Sequence, residues 1–389
     1  MLLQYLLRAI IFNSMTKKNI LLILFFITFS SLAFGQSKLE KMMDKMYDKI
    51  EGDSAKPKKN SFFAVPIWGV SPETGWQLGM SLVYLYRNKN DSNTRPSLIR
   101  LNAQTTELDQ YSIRPYIDLF TKNNKYNIKA SYTFRKFNEY YWGIGNETPN
   151  SNKALYDFSQ NRLQLRVTKQ VFKGIYLGIQ SEQNLTNGFN FKGDSLFEKK
   201  EVVGNNGSFT SGLGLVVSFD TRNQIYYPTK GHFVDITTLF NQAVFGSEFN
   251  FNNLSIDARK YIKLWNENVL ALQGFANLND GNIPFKQLAT IGSESFMRGY
   301  YNGRFRDHHA MAFQAELRKK VWGPISLTFF GGFGNVANQS SLLFTNIKPN
   351  YGIGFRAIAI RREHVNIRID YGRGENGIQG FYFTMNEAF

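Results

Sequence analysis

The sequence predicts an all-β fold: a transmembrane antiparallel β-barrel of about sixteen strands behind a cleaved N-terminal signal peptide. Three observations carry this expectation. Short segments alternate apolar and polar residues along most of the chain, and the connections between them sort by length. A secretion-type leader stands in front. No later stretch is long and apolar enough for a helix to cross a bilayer, so any later crossing uses strands.

The leader comes first. Met15 begins a second, better start, followed by Thr16, Lys17, Lys18 and an apolar run from Ile20 to Phe34. Ala33-Phe34-Gly35 offers small residues at the two positions a signal peptidase reads, which places cleavage before Gln36 and the signal over 1–35. The run is about 15 residues, short of the ~20 a spanning helix needs. Residues 36–61 form a short periplasmic segment. Leu39, Met42, Met43, Met46, Tyr47 and Ile50 recur at helical spacing, and a polar linker follows from Gly52 to Asn60.

The barrel domain is expected over 62–389. Tyr126, Ile128, Ala130, Tyr132 and Phe134 interleave with Asn127, Lys129, Ser131, Thr133 and Arg135. Val365, Ile367, Ile369 and Tyr371 interleave with Asn366, Arg368 and Asp370 in the same way. Successive side chains of a strand point to opposite faces, so each segment has an apolar face for lipid and a polar face for a wet interior. Sixteen such strands are expected at 62–70, 75–87, 97–107, 110–121, 124–137, 155–170, 174–187, 208–220, 230–243, 247–262, 267–279, 308–320, 323–334, 349–360, 364–372 and 378–389. The long connections 138–154, 188–207, 280–307 and 335–348 all fall on one side, taken as external. The opposite side carries mostly short turns, with 88–96 and 221–229 as exceptions. That asymmetry is expected of bacterial outer-membrane barrels and has no cause in a soluble sandwich.

The formal net charge is +16. Three basic residues (Arg8, Lys17 and Lys18) fall in the signal, leaving about +13. Lysine and arginine are spread over nearly every segment, which suits anionic headgroups and a watery lumen rather than nucleic acid. The 35 Phe and 20 Tyr suit interfacial girdles. There is no cysteine, hence no disulfide framework or thiolate metal site. No cofactor or metal site is expected. His232, His308, His309 and His364 lack metal-ligand spacing, and Ser293 and Ser295 precede His308 without a G-x-S-x-G elbow, so the chain reads as a non-enzyme. Gly372-Arg373-Gly374-Glu375-Asn376-Gly377 matches G-x-G-x-x-G, but a strand follows where a dinucleotide site needs a helix, so it reads as a glycine-rich hairpin turn.

The polar faces place Lys129, Arg135, Arg166, Arg259, Arg318 and Arg368 in the lumen with Asp118, Asp235, Asp257, Glu316 and Asp370. Charge there requires water or partners. The connection 280–307 is the densest, holding Phe296-Met297-Arg298-Gly299-Tyr300-Tyr301. Such apolar content suits a loop folded back against a wall, with Arg298 seeking a carboxylate or an aromatic face.

Five stretches together resemble the barrels of the BamA/TamA, or bacterial surface antigen, superfamily of outer-membrane assembly and translocation proteins. Tyr141 to Thr148 resembles the family's third external loop. Asp220-Thr221-Arg222-Asn223 with Tyr227-Pro228-Thr229-Lys230-Gly231 resembles the periplasmic turn between strands eight and nine. Phe296 to Tyr300 resembles the tip of the sixth loop, and Gly352 to Arg356 and Gly380 to Phe389 resemble the last strands.

The resemblance implies a sixteen-stranded barrel with a poorly zipped seam between its first and last strands, and a sixth loop entering the lumen. Arg298 would then pair with a strand acid and Gly299 would permit the tight turn, with Phe296 and Tyr300 flanking them. Phe381, Phe383 and Phe389 would form the C-terminal assembly signal. The family's Phe-x-Asp-x-Gly on strand thirteen reads Phe330-Gly331-Gly332-Phe333-Gly334 here, so either Glu316 or Asp370 replaces the acid or the lock is absent. About 25 residues precede the barrel, too few for one periplasmic POTRA repeat, so a short member without POTRA domains is expected. The implied location is the outer membrane of a Gram-negative bacterium. The implied partners are outer-membrane lipid and lipopolysaccharide, with protein clients or periplasmic subunits. The implied role is outer-membrane biogenesis through a lateral seam, and the alternative is a passive pore or a scaffolding barrel in an envelope complex.

Overall fold

The computed structural model describes residues 60–71, 75–87, 94–192, 202–360 and 365–389. The expected signal and the amphipathic segment lie outside the described residues. The strands are β1 (Ser61–Ser71), β2 (Gly75–Tyr86), β3 (Ser97–Thr106), β4 (Tyr111–Phe120), β5 (Tyr126–Tyr141), β6 (Ala154–Phe172), β7 (Ile175–Lys192), β8 (Ser208–Asp220), β9 (Gly231–Asn241), β10 (Phe251–Lys263), β11 (Val269–Gly281), β12 (Ala289–Ile291), β13 (Phe305–Asp307), β14 (His309–Trp322), β15 (Ile325–Ala337), β16 (Lys348–Ile360), β17 (Val365–Gly374) and β18 (Gln379–Met385). Sixteen of them form one sheet of consecutive neighbours, with β11 passing directly to β14. The short pair β12 and β13 forms a separate hairpin inside the sixth external connection.

The sheet turns the usual burial rule outward. On β8, Leu213, Leu215, Val217 and Phe219 are exposed, while Thr210 and Ser211 are buried near its start. Across the β8–β9 ladder, Leu213 opposes Phe240 and Val217 opposes Ile236, so the exposed apolar residues form cross-strand pairs on the outer face. Phe313, Phe329, Phe333, Ile353 and Phe355 extend the belt over β14 to β16. In water such a surface would be a large apolar patch; against hydrocarbon it is the favourable face. No helix among the described residues is long and apolar enough to span a membrane.

The barrel is nearly closed. β1 and β18 lie alongside each other at its two edges, yet no ladder joins them among the described residues. β1 is fully paired on its other side, from Ser61 opposite Leu85 to Ser71 opposite Gly75. Among the described residues the sheet therefore does not continue from β18 to β1, and the two strands meet as edges.

Two expectations need correction. The last strand was expected over 378–389, but β18 ends at Met385. Asn386 adopts φ +64° and the tail turns inward, so Phe389 is buried against Tyr261 and Ala271 on the far wall. The expected wet, mixed-charge lumen is wet on one side only. The sixth connection folds into the barrel, and beside β14 to β17 the lumen charges are buried against one another instead of hydrated. Water-accessible space collects on the other side, in a cavity of about 840 Å³ against β2 to β5.

Candidate functional site

The sixth connection sits in the lumen as a hairpin with an apolar underside. Ala289 pairs with Asp307 and Ile291 with Phe305. Met297, Tyr300 and Phe305 pack with Ala310, Ala312 and Val336 of the wall, and Phe296 stacks on Phe275 of β11 at 4.9 Å. The external end is clamped by the third connection. The Gly145 N–H donates to the Arg306 carbonyl at 2.8 Å, Arg304 donates to the Thr148 hydroxyl and carbonyl at 2.6 Å each, and Trp142 meets Tyr301 edge-on at 5.3 Å.

At the tip the chain makes a tight turn, with Met297 at φ +53° and Gly299 at φ +112°. Its seat is two glycines of β17. A Cβ on Gly299 would lie 2.8 Å from the Arg373 nitrogen, and one on Gly372 would lie 2.7 Å from the Arg298 carbonyl carbon. The Tyr300 ring lies flat where a Cβ on Gly374 would come within 2.4 Å. The glycine-rich run thus divides: Glu375 to Gly377 make the turn, and Gly372 and Gly374 belong to β17 and receive the loop. The Tyr300 hydroxyl donates to the Pro349 carbonyl at 2.8 Å and accepts from the Glu375 N–H at 2.9 Å. Burial pushes this phenol up to about 12, so it remains a donor at any physiological pH. Asn350 donates to the Arg298 carbonyl at 2.9 Å.

Arg298 is fully buried. Its Nη2 donates to Glu316 and its Nη1 to Asp370, each at 2.6 Å, and its guanidinium lies over the Phe330 ring at 3.6 Å. Both candidate acids therefore meet the loop arginine. The network runs further. Glu316 also accepts from Arg318 at 2.8 Å, Asp370 from Arg356, and Glu387 of the inward tail from Arg356 at 2.9 Å. Arg368 approaches Asp370 at 3.7 Å but leaves Nε and Nη1 without hydrogen-bond partners. Four buried arginines thus share three buried carboxylates. Ions this dry persist only when paired, because the interior does not replace their hydration.

The periplasmic turn joins the same network. Arg318 donates to the Pro228 carbonyl at 3.4 Å and to the Phe389 main-chain oxygen at 2.8 Å, with Tyr227 beside it. Asp220 anchors the turn, accepting from the Arg222 backbone at 3.0 Å, its side chain at 2.9 Å and Arg95 at 2.6 Å. Gly231 at φ +107° starts β9 where a Cβ would strike the Thr221 carbonyl. Phe381 is exposed on the outer face of β18, whereas Phe389 is inside. Ser293 hydrogen-bonds within its own loop, to the N–H groups of Ser295 and Phe296, while His308 lies against Asp307. Sequence reasoning missed Arg356, Glu387, Tyr382 and the two seat glycines. Of these, Arg356 was the most legible, since it sits on the polar face of its strand.

An open-seamed sixteen-stranded barrel with an apolar belt and an inward sixth loop defines an outer-membrane β-barrel. The Omp85 superfamily domain matches residues 95–389, and the chain belongs to that superfamily of outer-membrane proteins. Among solved structures, it is similar to BamA from Haemophilus ducreyi lacking POTRA domains 1-3, with a TM-score of 0.54 and 13% identity, over 85% of this chain and 71% of that one. It is also similar to CdiB from Acinetobacter baumannii (TM-score 0.53, 12% identity, 85% of this chain and 60% of that one). CdiB from Escherichia coli gives a TM-score of 0.54 at 9% identity, over 86% and 63% of the two chains. The chain therefore spans less than two thirds of either CdiB. At such identities the likeness establishes the fold. No curated protein matches significantly.

Proposed function

We propose that this barrel assists the insertion or translocation of clients at the outer membrane through the seam between β1 and β18, with the docked sixth loop bracing the movable edge. The observation that carries this is the seam itself: two neighbouring edge strands without a ladder among the described residues. A strand at the edge of a sheet can accept an incoming strand through its backbone N–H and C=O groups by β-augmentation. The BamA and CdiB barrels share the fold, which supports the same class of role. No bond chemistry or cofactor is involved. Lipid and lipopolysaccharide are the surroundings on which the seam acts, and protein clients or periplasmic subunits are its partners.

A passive or scaffolding barrel is the second reading, favoured by the packed second half of the lumen. One experiment separates them. Cysteines are placed at Ala64 or Pro66 on β1 and at Phe381 or Phe383 on β18, all on the outer face, and oxidised in intact cells. The absence of native cysteine keeps the cross-link specific. Loss of the protein's cellular role in a folded, locked barrel, restored by reductant, supports the seam. Full function when locked rejects it in favour of the scaffold.

A further inference from the structure

The wall arginines of this lumen follow a rule. Arg135, Arg162, Arg166, Arg259, Arg318, Arg356 and Arg368 each have a carboxylate within 4.0 Å. Among the described residues, Arg100 and Arg114 have none. Arg100 rests on the Tyr116 ring at 5.1 Å with its Nε lacking a hydrogen-bond partner. Arg114 has a single long contact, 3.4 Å to Gln104. Both line the 840 Å³ cavity, as does Arg135.

Register brings the three together. Arg100 opposes Tyr116 and Arg114 opposes Asn102 on the β3–β4 ladder, while Arg135 opposes Ser112 on β5. They form a diagonal across three adjacent strands, at the 7–8 Å or so spacing of diagonal neighbours. The Ser112 hydroxyl, 3% exposed, faces the same cavity and has no hydrogen-bond partner. The counter-charge within electrostatic reach of Arg114 is Glu294 on the loop, beyond ion-pair distance. Like charges held together over an unpartnered hydroxyl are unfavourable unless an anion joins them.

We propose that this diagonal binds a phosphate group, with Arg100 and Arg114 as its clamp and Ser112 as a further donor. The rest of the cavity says what carries the phosphate. Val83, Leu85 and Leu98 form an apolar floor beside the guanidinia, and the cavity reaches the seam strand at the inward-facing Tyr382 and Thr384. Charge next to an apolar floor at a lateral seam fits the headgroup of an anionic lipid. The physiological meaning of this site rests on the seam role above, but the binding itself does not, so the two fail separately.

The test uses the full chain in detergent micelles and the variant Arg100→Gln/Arg114→Gln, with Arg373→Gln, an exposed position on the outer face of β17, as control. Retained lipid is measured by native mass spectrometry after exposure to equal phosphatidylglycerol and phosphatidylcholine. Inorganic phosphate is titrated separately, alone and against bound lipid. Phosphatidylglycerol should be retained preferentially, with about tenfold weaker retention per guanidinium removed and none lost in the control. Retention of the lipid without binding of inorganic phosphate assigns the site to the amphiphile. Phosphate that binds and displaces lipid assigns it to the phosphate group alone, and both outcomes support the clamp. Equal retention by wild type and double variant, when both show the folded barrel's gel migration, overturns it.

Discussion

The main-chain N–H of Gly299 donates to the Tyr382 hydroxyl at 2.9 Å, and that hydroxyl donates to the Tyr300 carbonyl at 3.2 Å. A single phenol on β18 thus ties the loop tip to the strand at the seam. Tyr382→Phe removes both bonds and keeps the ring. Hydrogen exchange at β18 amides should rise severalfold while β5 to β8 stay unchanged, because only the seam edge loses its brace. Uniform exchange along the sheet would show that the phenol does not brace the edge.

The charge imbalance at Arg298 predicts an order among substitutions. Glu316→Gln raises the buried positive excess, whereas Arg298→Gln removes it, so the acid should matter more. Breaking a buried pair costs about 3–5 kcal/mol. Glu316→Gln is expected at or above that range and Arg298→Gln below it. Arg368→Met should be nearly neutral, since its guanidinium is the least partnered. Midpoints of thermal unfolding in detergent, read by barrel gel migration, check the order.

Gly374→Ala and Gly377→Ala separate space from backbone conformation. A Cβ at Gly374 meets the Tyr300 ring at 2.4 Å, while at Gly377 it meets nothing but the backbone sits at φ +76°. The first should undock the loop and expose Arg298 and Arg304 to trypsin. The second should cost about 1 kcal/mol through left-handed strain and leave the loop resistant. Equal protease sensitivity in the two variants would contradict the seat.

Tyr300 makes the docked loop sensitive to alkali. Its folded value of about 12 exceeds the ordinary 10, so the docked state holds its proton longer than the free chain. Its contribution is complete below pH 10 and is lost as pH rises from 10 through about 12. The tyrosinate absorbance of wild type minus Tyr300→Phe should show one phenol titrating late in that window. A difference titrating near 10 would mean the loop is not docked in solution.

Much of this architecture was readable because lipid on one side and polar lumen on the other impose a period of two. Errors fall where that contrast fades. β5 reaches Tyr141 and β7 reaches Lys192, past the expected 137 and 187, because hydrogen bonding continues beyond the belt that gives the alternation its signal. The end of β18 was missed because Asn386 turns the chain and Glu387 finds two arginines, a tertiary event without local pattern. Arg298 was conspicuous as a cation among aromatics. Its seat on Gly372 and Gly374 was not, since the same glycines suit a hairpin and only proximity in space distinguishes the two uses.

The inward tail also bears on the order in which the molecule is made. Arg318 and Arg356 meet Glu387 only after the final residues have arrived, and Arg298 meets Asp370 across 72 positions of chain. Contacts of such separation form late, since loop closure precedes their reward. Until then the second half of the sheet holds more guanidinia than acids and cannot settle into its dry arrangement. Completion is therefore checked by charge: the buried positive excess falls to a single charge only when Glu387 has come home, which makes closure of this barrel cooperative with the docking of its inward tail.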